Sequence, residues 1–265
     1  MPHTNQKGFT LIEISIVLTI IALIIGGIIV SRDLIRVSEL NSVTSDVARY
    51  RQAFTDFRDK YLALPGDFSG AEALWGSDSN CPNTATNTTP KTATCNGNGD
   101  GHVGYYNITP FAVSNFYEVY RAWQQLADAG FIDGSYSGVA APASNSTYGG
   151  IPGVNIPASR IPGAGYTVYY VTALTTVVST DWISNYGHDM GFGATEPAWT
   201  AVTPVLTPTE AAGIDQKIDD GLPGYGNVMT GKNYTNCNTS TTQASAGYNT
   251  SYTGIACSLQ FLMGF

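Results

Sequence analysis

Basic residues are scarce in this chain. Twelve Lys and Arg face twenty Asp and Glu across 265 residues, for a formal net charge of -8. Nucleic-acid binding needs a basic footprint, and this balance argues against it. Histidine is scarcer still, with three residues in all. His3 stands near the start, His102 lies in an Asn/Gly-rich turn, and His188 lies in "YGHDMGFG". His188 beside Asp189 would make an acid–base pair, but no G-x-S-x-G elbow and no phosphate-binding glycine loop accompanies it. Exposed loop histidine is the expectation, and enzymatic activity is not expected. No cysteine precedes Cys81, and no C-x-x-C pair occurs. Zinc, the rival use of four cysteines, lacks its ligand spacing and its histidines. Two disulfides in an extracytoplasmic domain are expected from Cys81, Cys95, Cys237 and Cys257. Three pairings are open; the local one, Cys81 with Cys95 and Cys237 with Cys257, closes the shortest loops.

Charge is absent altogether from Ile14 to Val30. Seventeen residues rising about 1.5 Å each span about 25 Å, close to the hydrocarbon thickness of a bilayer. Phe9 to Glu13 complete the span, and Lys7 precedes it. The short basic side would stay in the cytoplasm and the long distal part would lie outside. A secretory signal would end in a small-x-small cleavage site, and none follows Val30. A plain signal anchor leaves Glu13 unexplained, because a carboxylate facing lipid costs about 2–3 kcal/mol even on a lenient scale. Snorkelling to the interface is the bland alternative.

The segment "KGFTLIE", Lys7 to Glu13, resembles the signal of type IV pilins and related pseudopilins. The likeness comprises Gly8 before the cut, an aromatic Phe9 after it, and a Glu five residues into the mature chain. It covers the first thirty residues and says little about the rest. The resemblance implies a leader at 1–8, cut after Gly8 on the cytoplasmic side by a prepilin peptidase that also methylates the Phe9 amine. It implies a retained helix at 9–64, transmembrane or filament core over 9–30 and an amphipathic stalk over 31–64, followed by an extracytoplasmic head at 65–265. In such an assembly Glu13 pairs with the Phe9 amine of a neighbouring subunit and selects register. The implied partners are identical or related pilin subunits, the prepilin peptidase and an inner-membrane assembly platform. The implied location is the bacterial inner membrane before assembly, then a pilus on the cell surface or a periplasmic filament. Adhesion, motility, DNA uptake and fibre priming are all compatible roles. A type II secretion pseudopilin and a membrane-anchored extracytoplasmic enzyme or binding domain are the alternatives. Many family members carry a Pro late in the apolar helix, where this chain has Gly26-Gly27. Two glycines weaken a helix by about 1 kcal/mol each, and would mark either an unwinding segment or a close helix contact.

Proline and glycine are missing from Ile28 to Leu64. Leu34, Val37, Leu40, Val43, Val47, Tyr50, Phe54, Phe57, Tyr61 and Leu64 recur there at steps of three and four, one stripe on a helix. Leu64-Pro65-Gly66 ends the pattern. A helix from Phe9 to about Ala63 would be about 80 Å long. Phe54, Phe57 and Tyr61 read as helix–sheet core, with an electron-conducting aromatic track as the remote alternative. The expected fold is α+β, type IV pilin-like: a long N-terminal transmembrane/stalk helix packed on a C-terminal antiparallel β-sheet head with long loops.

Within the head, Ala71 to Trp75 reads as a short helix. Ser114 to Ala129 reads as a helix with Ser114 as N-cap and Gly130 as its stop. Tyr166 to Val178 is rich in β-formers. Thr207 or Thr209 would cap a helix running to Ile218, and Asn145 to Gly165 reads as a long surface loop. In "CNGNGDGHVGYYN", Asn96, Asn98 and Asp100 alternate before Gly101, like the opening of an EF-hand calcium loop. Asn replaces Asp at its first position and Asn107 replaces Glu at its twelfth, so a weak calcium site and a tight Asn/Gly turn both fit. No cofactor is required by anything else in the chain. Asp215, Asp219 and Asp220 cluster before Gly221 and read as structural capping or, less simply, as metal ligands. Asn87-Thr88-Thr89 and Asn107-Ile108-Thr109 match glycosylation sequons, a weak signal in a bacterial setting.

Overall fold

The computed structural model describes residues 8–79, 81, 90–106, 117–139, 149–171, 181–195, 201–231, 234 and 236–265. His3, Lys7, Asn87, Asn107, Ser114, 145–148 of the expected loop and 172–178 of the expected strand lie outside the described residues.

Helix α1 runs from Leu11 to Tyr61. The chain divides into two compact units, Met1–Asn41 and Ser42–Phe265. From Leu11 to Val37 the described apolar side chains are exposed, at 91% for Leu11, 72% for Leu23 and 66% for Leu34. The helix includes an 18-residue window of mean hydropathy 2.8. Its hydroxyls turn back onto the backbone: Ser15 donates to the Ile12 carbonyl, Thr19 to Ser15 and Ser31 to Gly27. Each thereby satisfies its own donor without water, as an apolar setting demands.

The second unit takes in the last part of α1, from Ser42 onward. Val43, Val47, Tyr50, Phe54 and Phe57 are buried there, whereas Leu34 and Val37 of the same stripe are exposed. Tyr50 meets Trp123 and Tyr166 edge-on, with ring centroids 5.0 and 5.1 Å apart. Phe54 stacks on Phe265 at 5.8 Å. Phe57 and Tyr61 continue into a cluster with Phe68 and Trp75. These aromatics are helix–head core.

The sheet comprises β1 (Tyr105–Tyr106), β2 (Ala164–Val171), β3 (Gly187–Thr195), β4 (Ala201–Thr203), β5 (Val228–Met229) and β6 (Leu259–Leu262). Its order is β1-β2-β3-β6-β5, with β4 also pairing β3. All pairs are antiparallel except β1 with β2. Met190 lies opposite Val168 and Phe261, and Phe192 opposite Tyr166 and Leu259; all six are buried. A long apolar helix with a C-terminal antiparallel sheet is an α+β arrangement consistent with a pilin-like fold.

Among the described residues the unit also holds the α-helices α2 (Ala71–Trp75), α3 (Tyr117–Asp128) and α4 (Pro208–Ile218) and a short 3-10 helix at Gln243–Ser245. Helix α3 ends at Gly130, whose φ of 78° lets Gly130 N–H reach Ala127 and Phe131 N–H reach Leu126, a Schellman closure. Thr207 caps α4 in a capping box with Glu210, and Thr209 lies inside the helix. Replacing Thr207 with Ala is expected to cost about 1 kcal/mol. Equilibrium unfolding of the full chain in detergent checks this, with Thr207→Ser near neutral.

Candidate functional site

The start of α1 brings Gly8, Phe9 and Glu13 into one exposed stretch. Gly8 has no atom within 4 Å of where a Cβ would stand. Phe9 is 84% exposed. Glu13 is engaged within its own chain: one oxygen accepts from Thr10 N–H and from Thr10 Oγ, both at 2.7 Å. Glu13 N–H in turn reaches Thr10 Oγ at 3.3 Å. Thr10-Leu11-Ile12-Glu13 is therefore a capping box. The T-x-x-E spacing is the local sequence signal for this cap.

The cysteines form two disulfides, Cys81–Cys95 and Cys237–Cys257, the locally closing pair of connectivities. Cys95, Cys237 and Cys257 are buried.

The loop carrying Asn96, Asn98 and Asp100 turns its backbone N–H groups inward. Asp67 accepts from Gly99 at 2.6 Å, Asp100 at 3.0 Å and Gly101 at 2.9 Å. Glu118, on α3, accepts from Asn98 at 3.0 Å and Gly104 at 2.9 Å. His188 accepts from Val103 at 3.2 Å, and Asp100 itself accepts from His102 at 2.9 Å. Every N–H from 98 to 104 thus ends on a side chain. The side-chain oxygens of Asn96, Asn98 and Asp100 are taken by the N–H groups of Glu72, Asp100 and His102. This is an anion nest filled by the protein's own carboxylates, whereas a cation loop presents oxygens to its centre. A Cβ on Gly97 would lie 2.1 Å from the Asp67 carbonyl carbon, which is why the loop needs glycine there. Burial pushes Glu118 up to about 7 against the opposing pull of its two N–H donors.

Ligand oxygens of Asp215, Asp219 and Asp220 lie within 4.8 Å of one another. Each carboxylate already serves the fold. Asp215 accepts from Tyr248 at 2.8 Å and from Gly221 N–H. Asp219 accepts from Asn227 and Val228 N–H at the edge strand β5, and Asp220 from Leu222 N–H.

The structure corrects the reading of His188 and Asp189. Both sit on β3 and are buried, at 3% and 0% exposure, not in an exposed loop. Glycine lowers strand propensity in "YGHDMGFG", but pairing with strands on both sides holds the segment extended. Beside His188 lies a cleft of about 450 Å³ lined by Arg58, Leu62, Asp67, Gly101 and Phe265 among others.

Residues 3–29 match the family model of the prokaryotic N-terminal methylation motif. The chain carries the type IV pilin/pseudopilin signal, which supports a prepilin-peptidase substrate and points to a structural subunit. The motif implies assembly with other pilin-type subunits, and with the apolar helix it supports membrane anchoring. No curated protein and no solved structure matches the chain.

Proposed function

We propose that this protein is a structural subunit of a type IV pilus-like filament. It is cut after Gly8, methylated on Phe9 and polymerised through its apolar helix, with the head on the outside of the fibre. The observation that carries this reading is the methylation motif over 3–29 continuing directly into a helix whose apolar side chains lack cover. A helix apolar all round is stable in lipid or against other apolar helices. Removal of the leader leaves Phe9 as a cationic amine close to Glu13, and packing against neighbours supplies the cover that one chain lacks. Before assembly the chain rests in the inner membrane and engages the assembly platform there.

Mass spectrometry of the mature protein is expected to show a chain beginning at methylated Phe9. An intact Met1 would overturn the reading. Immunogold imaging of cells is then expected to find long fibres containing the protein. Short periplasmic assemblies without surface fibres would instead assign it to a secretion pseudopilus.

A further inference from the structure

We propose that His188 is an acid-sensitive latch on the head: neutral, it holds loop 98–104 closed beside the cleft at the end of α1, and protonated, it releases that loop at Val103. The inference concerns the head and does not depend on the filament reading.

The geometry fixes one tautomer. Nε2 accepts from Val103 N–H at 3.2 Å, so the ring proton sits on Nδ1, which faces the Phe265 main-chain oxygen at 3.0 Å. A neutral imidazole satisfies both contacts at once. An imidazolium carries a proton on each nitrogen. Its Nδ1–H keeps and strengthens the bond to Phe265, but its Nε2–H meets the Val103 N–H head-on. Protonation therefore breaks one side of the bridge and holds the other. The ring cannot turn away easily, because it is buried between Tyr170 at 5.2 Å and Phe265 at 5.3 Å.

The charged groups around the ring set the direction. The hydrogen bond to the Phe265 oxygen and Asp100 from the loop favour the cation, and His102 from the loop and Arg58 from α1 oppose it. Asp67 lines the same cleft, and Asp67 and Glu118 hold the rest of the loop. Burial dominates and lowers the His188 pKa below its ordinary 6.5. The unfolded chain then takes up this proton before the folded one does. The contribution is present in full above about pH 6.5 and is lost as pH falls through the lower folded value.

The test is hydrogen exchange of the full chain in detergent, followed by mass spectrometry from pH 8 to pH 5 and corrected for intrinsic rates. Protection of peptides containing Val103 is expected to fall about tenfold on the acid side, the scale of one lost buried hydrogen bond, while the segment ending at Phe265 keeps its protection. Glu118 also titrates near this range, so His188→Gln separates the two. A glutamine amide oxygen can take the Val103 N–H without titrating, and the variant is expected to flatten the fall. An acid response of the same size in His188→Gln would overturn the proposal. If the variant fails to fold, the imidazole nitrogen shifts of the unaltered protein decide. A Val103 amide that loses protection while His188 stays neutral would equally overturn it, and loss in step with protonation would support it.

Discussion

Glu13→Gln is expected to abolish fibres while leaving cleavage after Gly8 intact. The carboxylate has one role within its own chain and a second, proposed one between subunits, and one substitution can separate them. Inside its own chain Glu13 closes the capping box on Thr10, a contact worth about 1 kcal/mol. A glutamine oxygen can still accept from Thr10 N–H, so that role survives. Between subunits, Glu13 is proposed to meet the Phe9 amine of a neighbour inside the apolar core. Removing one partner of a buried charge pair costs about 3–5 kcal/mol, because the other charge is left without compensation. At 1.4 kcal/mol per tenfold, that is at least about a hundredfold per contact, repeated along the fibre. Thr10→Ala is the reciprocal control. It removes the Oγ that receives Glu13 N–H, keeps the charge, and is expected to leave fibres in place. Immunoblots of sheared fibre fractions read assembly, and mass spectrometry of the membrane pool reads processing. Normal fibres from Glu13→Gln would remove the charge role and leave Glu13 as a helix cap.

How far the fold was legible depended on the range of the interaction that decides each element. Helix α1 was readable because its signal is local: apolar steps of three and four, no Gly or Pro from Ile28 to Leu64, then Leu64-Pro65-Gly66. The capping box at Thr207 and the stop at Gly130 are equally local. Where burial begins on α1 was not readable, because Leu34 and Val43 look alike in sequence, and Val43 is buried by head residues distant from it along the chain. His188 was misread for the same reason. Glycines at 187, 191 and 193 lower strand propensity, but β2 and β6 pair along both sides of β3 and decide the matter. The loop of Asn96, Asn98 and Asp100 shows the limit for sites. Alternating oxygens are a local pattern compatible with a cation. The groups that occupy the loop, Asp67 and Glu118, come from outside it, one on each side in sequence, and the pattern carries no trace of them.

Asp78→Asn is expected to destabilise the head by about 3–5 kcal/mol, the range for breaking a buried ion pair from one side. Asp78 is 4% exposed and Arg121 1%. One carboxylate oxygen of Asp78 takes both Arg121 at 2.8 Å and Lys91 at 2.7 Å. Asparagine keeps the shape, so no cavity is made, but it removes the negative charge and leaves a buried guanidinium hydrogen-bonded to neutral amide oxygens, such as that of Gln124 at 2.8 Å. The damage spreads because α3 anchors the first disulfide loop through the same face. Gln124 donates to the Lys91 and Ala93 carbonyls, and Gln125 donates to Cys95 and receives Gly66 N–H. The Gly66 contact matters for the exit from α1, since a Cβ there would stand 2.4 Å from the Glu118 carbonyl oxygen. Thermal unfolding of the full chain in detergent measures the cost. The diagnostic comparison is Asp78→Asn with Arg121→Met. Removing the stranded cation is expected to recover part of the loss, because an apolar side chain pays no charge-desolvation penalty in that position. A double variant as unstable as the sum of the singles would show that Arg121 acts through packing rather than through its charge.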